Sequence, residues 1–232
     1  MWFLRILLLF NIVLFGRSDL LAMEFPYMSC FQIASDQSGI ELDLLMAVAA
    51  VESNWDADAR SSANAHGVMQ IRWPLTARHL GAGRVAELYN PCLNISMGAA
   101  YLKELSDRYQ GDQRFMLAAY NYGPSRIKTE GDIPAAVLVY ADRVMQQRKK
   151  IVQTMNRQIP QTLQRAGVIE VNRFDSAARA RRYLESLGNQ VPGARLTIRR
   201  SATGESVIYL DTANLGTQTR YRLASLLPDL KG

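Results

Sequence analysis

The sequence is poor in the residues that most enzymes use for nucleophilic and metal-dependent chemistry. Its 232 residues include only two histidines, His66 and His79, and two cysteines, Cys30 and Cys92. The histidines have neither the spacing of metal ligands nor a paired nucleophile, so we expect both at the surface. The sequence therefore gives no sign of a metal centre or of a histidine-activated nucleophile.

Long apolar runs are also missing, apart from one near the start of the chain. Arg5 is followed by an apolar run over residues 6–15 and then by a more polar stretch that ends at Ala22. This run is too short to span a bilayer comfortably. Residues 1–22 therefore look like a secretory signal peptide and predict a periplasmic protein, with an uncleaved membrane anchor as the alternative.

The two cysteines both follow this segment. An even number of cysteines in an exported chain favours a disulfide, here between Cys30 and Cys92. Closing that loop could stabilise the fold by about 4 kcal/mol in the chain-entropy model. Two buried free thiols are the alternative.

Net charge is absent from the larger part of the chain. Residues 23–159 carry 14 basic and 14 acidic side chains, whereas residues 160–232 carry 11 and 6. A nucleic-acid enzyme would line its site with basic residues. The neutral part therefore argues against nucleic acid as a partner, and the basic character belongs to the C-terminal part.

The most informative stretch runs over residues 42–74. Residues 44–51 contain no polar side chain, which predicts a helix buried on every side, and this run ends in Glu52. Burial and the negative end of the helix dipole both disfavour a charged carboxylate, so we expect a raised pKa for Glu52. An acid that stays protonated near neutral pH can serve as the general acid of a glycoside-cleaving enzyme. A solvated glutamate at a helix end is the alternative.

Ordered blocks of sequence around and after Glu52 resemble the SLT domain of the lytic transglycosylases. The blocks are Glu52-Ser53-x-Trp55, Ala59-x-Ser61, Gly67-Val68-Met69-Gln70-Ile71 with Pro74, Asn94-Ile95 with Gly98-Ala99-x-Tyr101-Leu102, Ala119-Tyr120-Asn121-Tyr122-Gly123-Pro124, and Tyr140. The resemblance covers about residues 29–150 and implies a mostly α-helical, lysozyme-like fold. Two positions depart from the family pattern. Asn64 replaces a glycine, which predicts a positive φ there, and Ala136-Val137 replace a Glu-Thr pair.

The resemblance implies a one-glutamate mechanism on peptidoglycan. Glu52 would protonate the oxygen between N-acetylmuramic acid and N-acetylglucosamine, and the substrate's own 2-acetamido group would stabilise the anomeric centre. Glu52 would then act as base while the muramyl 6-hydroxyl closes a 1,6-anhydro ring. This chemistry requires no metal or cofactor. Most other glycosidases use two carboxylates, but Asp56 and Asp58 lie in a polar loop and are expected to be solvated turn residues.

The same resemblance implies a set of residues that contact the sugar. Tyr140 would direct its hydroxyl to Glu52 and hold it in place, and for Met69 core packing is the alternative. The implied substrate-binding residues are Ser53, Met69, Gln70, Tyr120, Asn121 and Tyr140.

Two other functions stay open at this point. Water rather than the 6-hydroxyl could attack, as in goose-type lysozymes, or the protein could bind peptidoglycan as an assembly factor without cutting it. The placement of Cys30 and Cys92 resembles the small transglycosylases of secretion and conjugation machines. That likeness implies a secretion, conjugation or pilus machine as a partner.

Pro160 marks a change in sequence pattern. The part beyond it, residues 160–232, reads as a βαββα unit, which we name the C-terminal module. Its strands are predicted over residues 168–174, 195–199 and 206–210, and its helices over 176–187 and 217–227. The fold class is thus α+β, with a signal peptide at 1–22, a lysozyme-like catalytic domain at 23–158 and the basic module. We expect a chain ending near Gln158 to cleave on its own, and the module to bind sacculi, anionic membrane or a machine partner.

Overall fold

The computed structural model of the protein describes residues 25–128 and 133–230. The expected signal peptide at residues 1–22 lies outside the described residues. Within those ranges no helix is long and apolar enough to cross a membrane. The helices are α1 (Met28–Ser38), α2 (Leu42–Ser53), α3 (Leu75–His79), α4 (Pro91–Arg108), α5 (Gln113–Tyr122), α6 (Ala135–Gln158), α7 (Gln161–Gln164), α8 (Ala177–Gln190) and α9 (Thr217–Leu226). The strands are β1 (Ala65–His66), β2 (Ile71–Arg72), β3 (Val168–Phe174), β4 (Arg195–Arg200) and β5 (Ser206–Asp211).

Helix α2 is the buried helix that its composition predicts. The side chains from Leu44 to Ala49 are 0% exposed, and the helix packs against α1 and α6. It ends abruptly because Asn54 and Trp55 both take the left-handed conformation, with φ of 54° and 62°. The backbone N–H of Asn54 satisfies the carbonyls of the last turn, as such left-handed caps do. Glu52 is therefore held in the last turn of a rigid, buried helix.

Helices α1 and α4 pack side by side and are joined covalently. Cys30 near the start of α1 and Cys92 near the start of α4 form a disulfide, with their Cα atoms 5.0 Å apart. The start of α4 is capped by Asn90, whose side chain accepts from the Leu93 backbone N–H. The predicted disulfide is confirmed, and free thiols are excluded at these two positions.

The C-terminal module has the predicted order of strands and helices. Its three strands form an antiparallel sheet in the order β3-β5-β4, and β4 and β5 make the predicted hairpin. The central strand β5 buries Val207, Ile208 and Leu210, and α8 packs across the sheet.

The module is packed against the helical part rather than tethered to it. Helix α9 lies against α6, and Arg222 of α9 pairs with Asp36 of α1 at 2.9 Å. Gln218 of α9 donates to the buried Ser35 hydroxyl at 3.3 Å and lies 3.5 Å from the Leu42 backbone N–H at the start of α2. Buried residues on both sides belong to one apolar core, including Ile151, Met155, Leu187, Tyr221 and Leu223. The boundary near residue 160 remains a prediction, but the two parts share their packing.

Candidate functional site

The candidate acid is held by one short hydrogen bond from a neighbouring helix. Glu52 in the last turn of α2 is half-buried, and its Oε1 accepts from the Tyr140 hydroxyl of α6 at 2.6 Å. The pKa of Glu52 is raised because burial disfavours its charged form, although the Tyr140 hydrogen bond and the charge of Arg143 act in the opposite direction. The structure thus places Tyr140 where the resemblance implied, and the raised pKa has burial as its cause.

Two tyrosines beside Glu52 stay protonated and act as donors. Burial raises the pKa of Tyr120 and of Tyr140 well above the usual value of a phenol, and the charge of Glu52 adds to both shifts. Tyr140 donates to Glu52 itself, whereas Tyr120 of α5 donates to the Met69 carbonyl at 2.8 Å. Glu52 therefore has two neutral phenol groups near it.

The turn at residues 67–70 is hydrogen-bonded to two predicted site residues beside Glu52, namely Ser53 and Tyr120. The Ser53 hydroxyl donates to the Val68 carbonyl at 2.7 Å, and Tyr120 donates to the next carbonyl, that of Met69. The turn thus receives a hydrogen bond from each of two residues that flank Glu52. Its backbone geometry fixes where Ser53 and Tyr120 lie.

A buried asparagine on α4 holds that turn, and the sequence analysis gave it no role. Asn94 is 0% exposed. Its Oδ1 accepts from the Met69 backbone N–H at 2.7 Å, and its Nδ2 donates to the carbonyls of His66 and Leu88 at 2.9 and 2.8 Å. All polar atoms of the buried amide are thereby used, which is what a buried polar group requires.

Gly98, one turn after Asn94 on α4, leaves space for the side chain of Met69. Met69 is 0% exposed and lies against Gly98, where an added Cβ would come within 2.7 Å of the Met69 side chain. The side chain of Met69 is therefore core packing, and its contribution to the site is its backbone carbonyl. Subsite lining by the Met69 side chain, which the resemblance implied, does not fit this burial.

Gln70 and Asn64 shape the loop above the turn. Gln70 has a φ of 49°, and its side-chain amide donates to the carbonyls of Gly67 and Ala59 at 3.0 and 3.2 Å. Asn64 has the predicted positive φ, 58°, and its side chain donates to the Trp73 carbonyl at 3.0 Å. The departure from glycine at position 64 is thus accommodated without distorting the loop.

A cavity of about 790 Å³ adjoins the glutamate at its Tyr120 side. Gln70, Tyr120 and Asn121 line it, so three of the predicted substrate-binding residues share one surface. Glu52 is not part of this lining, and Tyr120 forms the link between the two. The arrangement suits an extended ligand that fills the cavity and passes Glu52.

The other acids near Glu52 are solvent-exposed, as predicted. Asp56 and Asp58 lie in the loop after α2, where the Asp56 carboxylate accepts from the Asp58 backbone N–H at 2.9 Å. Neither is among the groups that shift the pKa of Glu52. Over residues 25–128 and 133–230 no three histidine, cysteine or acidic side chains come together as metal ligands would.

The expectation that both histidines lie at the surface was wrong for His66. His79 is exposed and pairs with Glu104 at 2.8 Å, but His66 is 2% exposed. Its two ring nitrogens lie 2.8 Å from the Tyr89 hydroxyl and 2.9 Å from Asn64 Oδ1. Burial, with the nearby charge of Arg60, lowers the pKa of His66. It serves as a neutral hydrogen-bonding residue of the loop.

The sequence is similar to known transglycosylases over the helical part. Residues 29–137 match the family model described as the transglycosylase SLT domain. The soluble lytic murein transglycosylase of Escherichia coli K12 is 33% identical over 120 residues, which are 48% of this chain and 18% of that protein. The membrane-bound lytic murein transglycosylase F of Maricaulis maris is 38% identical over 103 residues, 42% of this chain and 22% of that protein. The chain spans about a fifth of the length of these curated relatives.

Solved structures give the same similarity in three dimensions. The 70 kDa soluble lytic transglycosylase of Escherichia coli matches with a TM-score of 0.51 and 27% identity, covering 56% of this chain and 24% of that one. An inactive mutant of the lytic transglycosylase Slt from Pseudomonas aeruginosa, with glutamine in place of a glutamate, matches with a TM-score of 0.51 and 25% identity. That match covers 61% of this chain and 26% of that one.

Fold and site together define a lysozyme-like α+β protein with a half-buried glutamate beside a groove. The structural neighbours are lytic transglycosylases, which confirms the predicted fold class. Residues 29–137 match the model of the transglycosylase SLT domain. The resemblance drawn from the motifs around Glu52 is thereby confirmed.

Proposed function

We propose that the protein is a peptidoglycan lytic transglycosylase with Glu52 as its only catalytic carboxyl group. It would cleave the β-1,4 bond between N-acetylmuramic acid and N-acetylglucosamine and leave a 1,6-anhydro-N-acetylmuramic acid end. The observation that carries the proposal is a glutamate with a raised pKa, hydrogen-bonded to Tyr140 beside a groove, inside an SLT domain.

In the first step Glu52 acts as the general acid. Its raised pKa keeps a fraction of the carboxyl group protonated near neutral pH, so it can give its proton to the glycosidic oxygen as the C1–O bond breaks. The carbonyl oxygen of the substrate's 2-acetamido group bonds to C1 from the other face and carries the positive charge as an oxazolinium ion. The N-acetylglucosamine part leaves with the proton as a neutral alcohol.

In the second step Glu52, now a carboxylate, acts as the base. It takes the proton of the muramyl 6-hydroxyl while that oxygen bonds to C1 and the acetamido oxygen departs. The sugar closes into its 1,6-anhydro ring and Glu52 ends protonated, ready for the next bond. No water is consumed, and the protons balance over the two steps.

The surroundings of Glu52 support this use of one carboxyl group. A two-carboxylate mechanism needs a second acid on the other side of the bond, but Asp56 and Asp58 are exposed in the loop after α2. The Tyr140 hydroxyl, at 2.6 Å, stabilises the carboxylate that forms after the first step. The inactive Pseudomonas aeruginosa mutant, which exchanges a glutamate for glutamine, agrees with dependence on one glutamate in that protein.

The groove residues would hold the sugar chain for this reaction. Gln70 and Asn121 line the cavity. The Asn121 amide can bind sugar hydroxyl and acetamido groups, whereas Gln70, whose amide nitrogen bonds to the Gly67 and Ala59 carbonyls, offers its amide oxygen as an acceptor. Ser53 follows Glu52 directly, and its hydroxyl is oriented by the Val68 carbonyl. Tyr120 would give one wall of the groove beside the reacting sugar.

Release of soluble muropeptides from purified sacculi tests this function against a binding role. The wild-type protein is expected to solubilise sacculi, with released muropeptides followed by reversed-phase chromatography. Binding to sacculi without any release would show instead an assembly factor that no longer cuts. A protein that neither binds nor releases would contradict both proposals.

We further propose export to the periplasm and action beside an envelope machine. The disulfide between Cys30 and Cys92 fits an oxidising compartment, and peptidoglycan lies there. A secretion, conjugation or pilus machine would need a local opening in the wall. Co-purification with such a machine from detergent-solubilised envelopes, lost when the C-terminal module is changed, would support this partner.

A further inference from the structure

Three helices carry most of the proposed site residues, and a second cluster of polar side chains joins the same three helices about two turns away. Glu52 lies on α2, Tyr120 and Asn121 lie on α5, and Tyr140 lies on α6. In the middle of α6, Arg148 contacts both α2 and α5. We call the cluster formed by Glu41, Asp43, Gln113 and Arg148 the three-helix clamp.

The Arg148 guanidinium group makes two hydrogen bonds to Asp43 of α2 and one to Gln113 of α5. Its Nε and Nη2 lie 2.9 and 3.2 Å from the two carboxylate oxygens of Asp43. Its Nη1 donates to Gln113 Oε1 at 3.3 Å, and Glu41 completes the cluster 3.8 Å away. Paired hydrogen bonds between a guanidinium group and one carboxylate allow only a narrow range of relative positions for the two groups.

The spacing along each helix connects the clamp to the site. Asp43 precedes Glu52 on α2 and Gln113 precedes Tyr120 on α5, whereas Arg148 follows Tyr140 on α6. The separations correspond to about 10–14 Å at a rise of about 1.5 Å per residue. Asp43 meets Arg148 at the start of α2, and Glu52 meets Tyr140 at its end, so the two pairs fix the antiparallel register of α6 against both ends of α2.

We infer that Arg148 is a positioning residue for the proposed reaction, setting the register of the three helices so that the Tyr140 hydroxyl meets Glu52. Apart from this pair and the Glu52–Tyr140 hydrogen bond, the buried side chains of α2 and α6 belong mainly to the apolar core, whose contacts are non-directional. The side chains of Arg148 and Asp43 are only 20% and 19% exposed, so solvent screens the pair less than a surface pair. The inference rests on the proposed function only for its kinetic test.

A double-mutant cycle tests the inference through the rate of murein cleavage. Arg148→Met is expected to lower kcat about tenfold with little change in KM, since a 1 Å misplacement can cost about a hundredfold. Arg148→Lys keeps the charge but cannot make the paired hydrogen bonds of the guanidinium group, so its kcat should lie between those of wild type and Arg148→Met. In a Tyr140→Phe background the Arg148→Met loss should shrink, because the hydroxyl to be positioned is gone. The neighbouring exposed Lys149→Met is the matched control and should leave kcat unchanged.

A second readout does not depend on cleavage. Tyr140 and Arg143 of α6 and Tyr120 of α5 face Glu52, and only the Tyr140 bond should weaken in Arg148→Met. The pKa of Glu52, followed by NMR of labelled glutamate, is then expected to rise above its wild-type value. An unchanged titration, or equal kcat losses with and without the Tyr140 hydroxyl, would reduce Arg148 to a stabilising residue and overturn the inference. If wild type itself does not cleave, the proposed function fails while the titration still decides the role of Arg148.

Discussion

The helical part up to Gln158 and the C-terminal module differ in where they keep their polar groups. In the helical part, the buried side chains of Asn94 and His66 are hydrogen-bonded around the loop beside the site. In the module, the buried Thr212 hydroxyl bonds only to backbone carbonyls of the module itself, and most charged side chains lie on the surface. The family match ends at residue 137 and does not reach the module.

This difference shows which kind of sequence signal carries function. A buried polar group costs free energy unless its partners are placed correctly, so the helical part tolerates few changes around Glu52. The module follows an amphipathic pattern that many sequences satisfy. Its structure indicates how it folds and where it packs, but the residues described in it form no arrangement that points to chemistry.

The largest effect is expected from a change to the proposed catalytic acid in the helical part. Glu52→Gln keeps the size of the side chain but removes the proton donor, and general acid–base catalysis contributes about 100- to 10,000-fold. We expect the release of soluble muropeptides to fall by at least about 100-fold. Asp56→Asn is the matched control and should retain wild-type release.

Thermal unfolding shows whether the Glu52→Gln variant is folded. The folded protein binds the Glu52 proton up to a higher pH than the unfolded chain does, because the folded pKa is raised. The free energy of unfolding therefore falls as pH rises through that pKa. At pH values above the folded-state pKa of Glu52, the Glu52→Gln variant should be at least as stable as the wild type. Full release by Glu52→Gln, with an inactive Asp56→Asn, would assign the chemistry to the wrong acid.

Removing the C-terminal module tests whether the two parts are independent. The sequence predicts that a chain ending near Gln158 cleaves on its own, but the packing of α9 favours a different outcome. Truncation exposes Ile151 and Met155, and each buried aliphatic side chain contributes about 1.5–3 kcal/mol. We expect a lower melting temperature and loss of cleavage at 37 °C. Wild-type stability and cleavage in the truncated chain would establish the module as separable.

A single change at the same interface sharpens this comparison. Arg222→Gln removes the ion pair with Asp36 and a hydrogen bond to the Gln190 carbonyl, which are worth about 0–1 and about 0.5–1.5 kcal/mol. It should shift the melting temperature by a small fraction of the truncation effect. An effect as large as truncation would mean that the ion pair, rather than the apolar core, holds the module in place.

A smaller effect is expected from the hydroxyl that faces Glu52. Tyr140→Phe removes a hydrogen bond to a charged group, worth about 1.5–3 kcal/mol, and should lower kcat at least about tenfold. That hydrogen bond lowers the pKa of Glu52, so its loss raises the pKa further. The first step needs protonated Glu52, so the alkaline limb of the pH profile should move to higher pH. A limb that stays in place or moves to lower pH would separate Tyr140 from the titration of Glu52.

The smallest effect concerns the basic surface of the module. Arg181, Arg182 and Arg195 are exposed, and changing all three to glutamine should weaken binding to sacculi or anionic membranes severalfold at low salt. The difference should shrink as salt rises, since exposed charges are screened over about 8 Å at physiological ionic strength. Arg179→Gln, which removes an arginine already paired with Asp175, is the control. Binding that is insensitive to both the variant and the salt would exclude a charge-based role.

Much of the fold and the centre of the site could be predicted from local sequence. The unbroken apolar run before Glu52 predicted a buried helix and a raised pKa, since both depend on neighbours along the chain. The strands and helices of the module followed from alternation and turn residues. The Tyr140 contact came from resemblance alone, because nothing in the sequence between positions 52 and 140 indicates that they meet.

The roles that could not be read from the sequence depend on contacts between distant segments. Asn94 holds a turn 25 residues earlier in the chain, and Arg148 meets Asp43 across 105 residues. The burial of His66 depends on Tyr89 and on the fold of its loop. Likewise, the docking of α9 on α1 and α6 follows from three-dimensional packing. None of these contacts leaves a periodic or local signal.

Mass spectrometry of the soluble products from digested sacculi tests the central claim most directly. The one-glutamate mechanism, with attack by the muramyl 6-hydroxyl, predicts muropeptides that end in 1,6-anhydro-N-acetylmuramic acid, each lighter than its hydrolysed counterpart by the mass of one water. They should be absent from digests with Glu52→Gln. Products that instead carry reducing muramic acid ends, and that take up ¹⁸O when the digest is run in labelled water, would show hydrolysis and contradict the proposal.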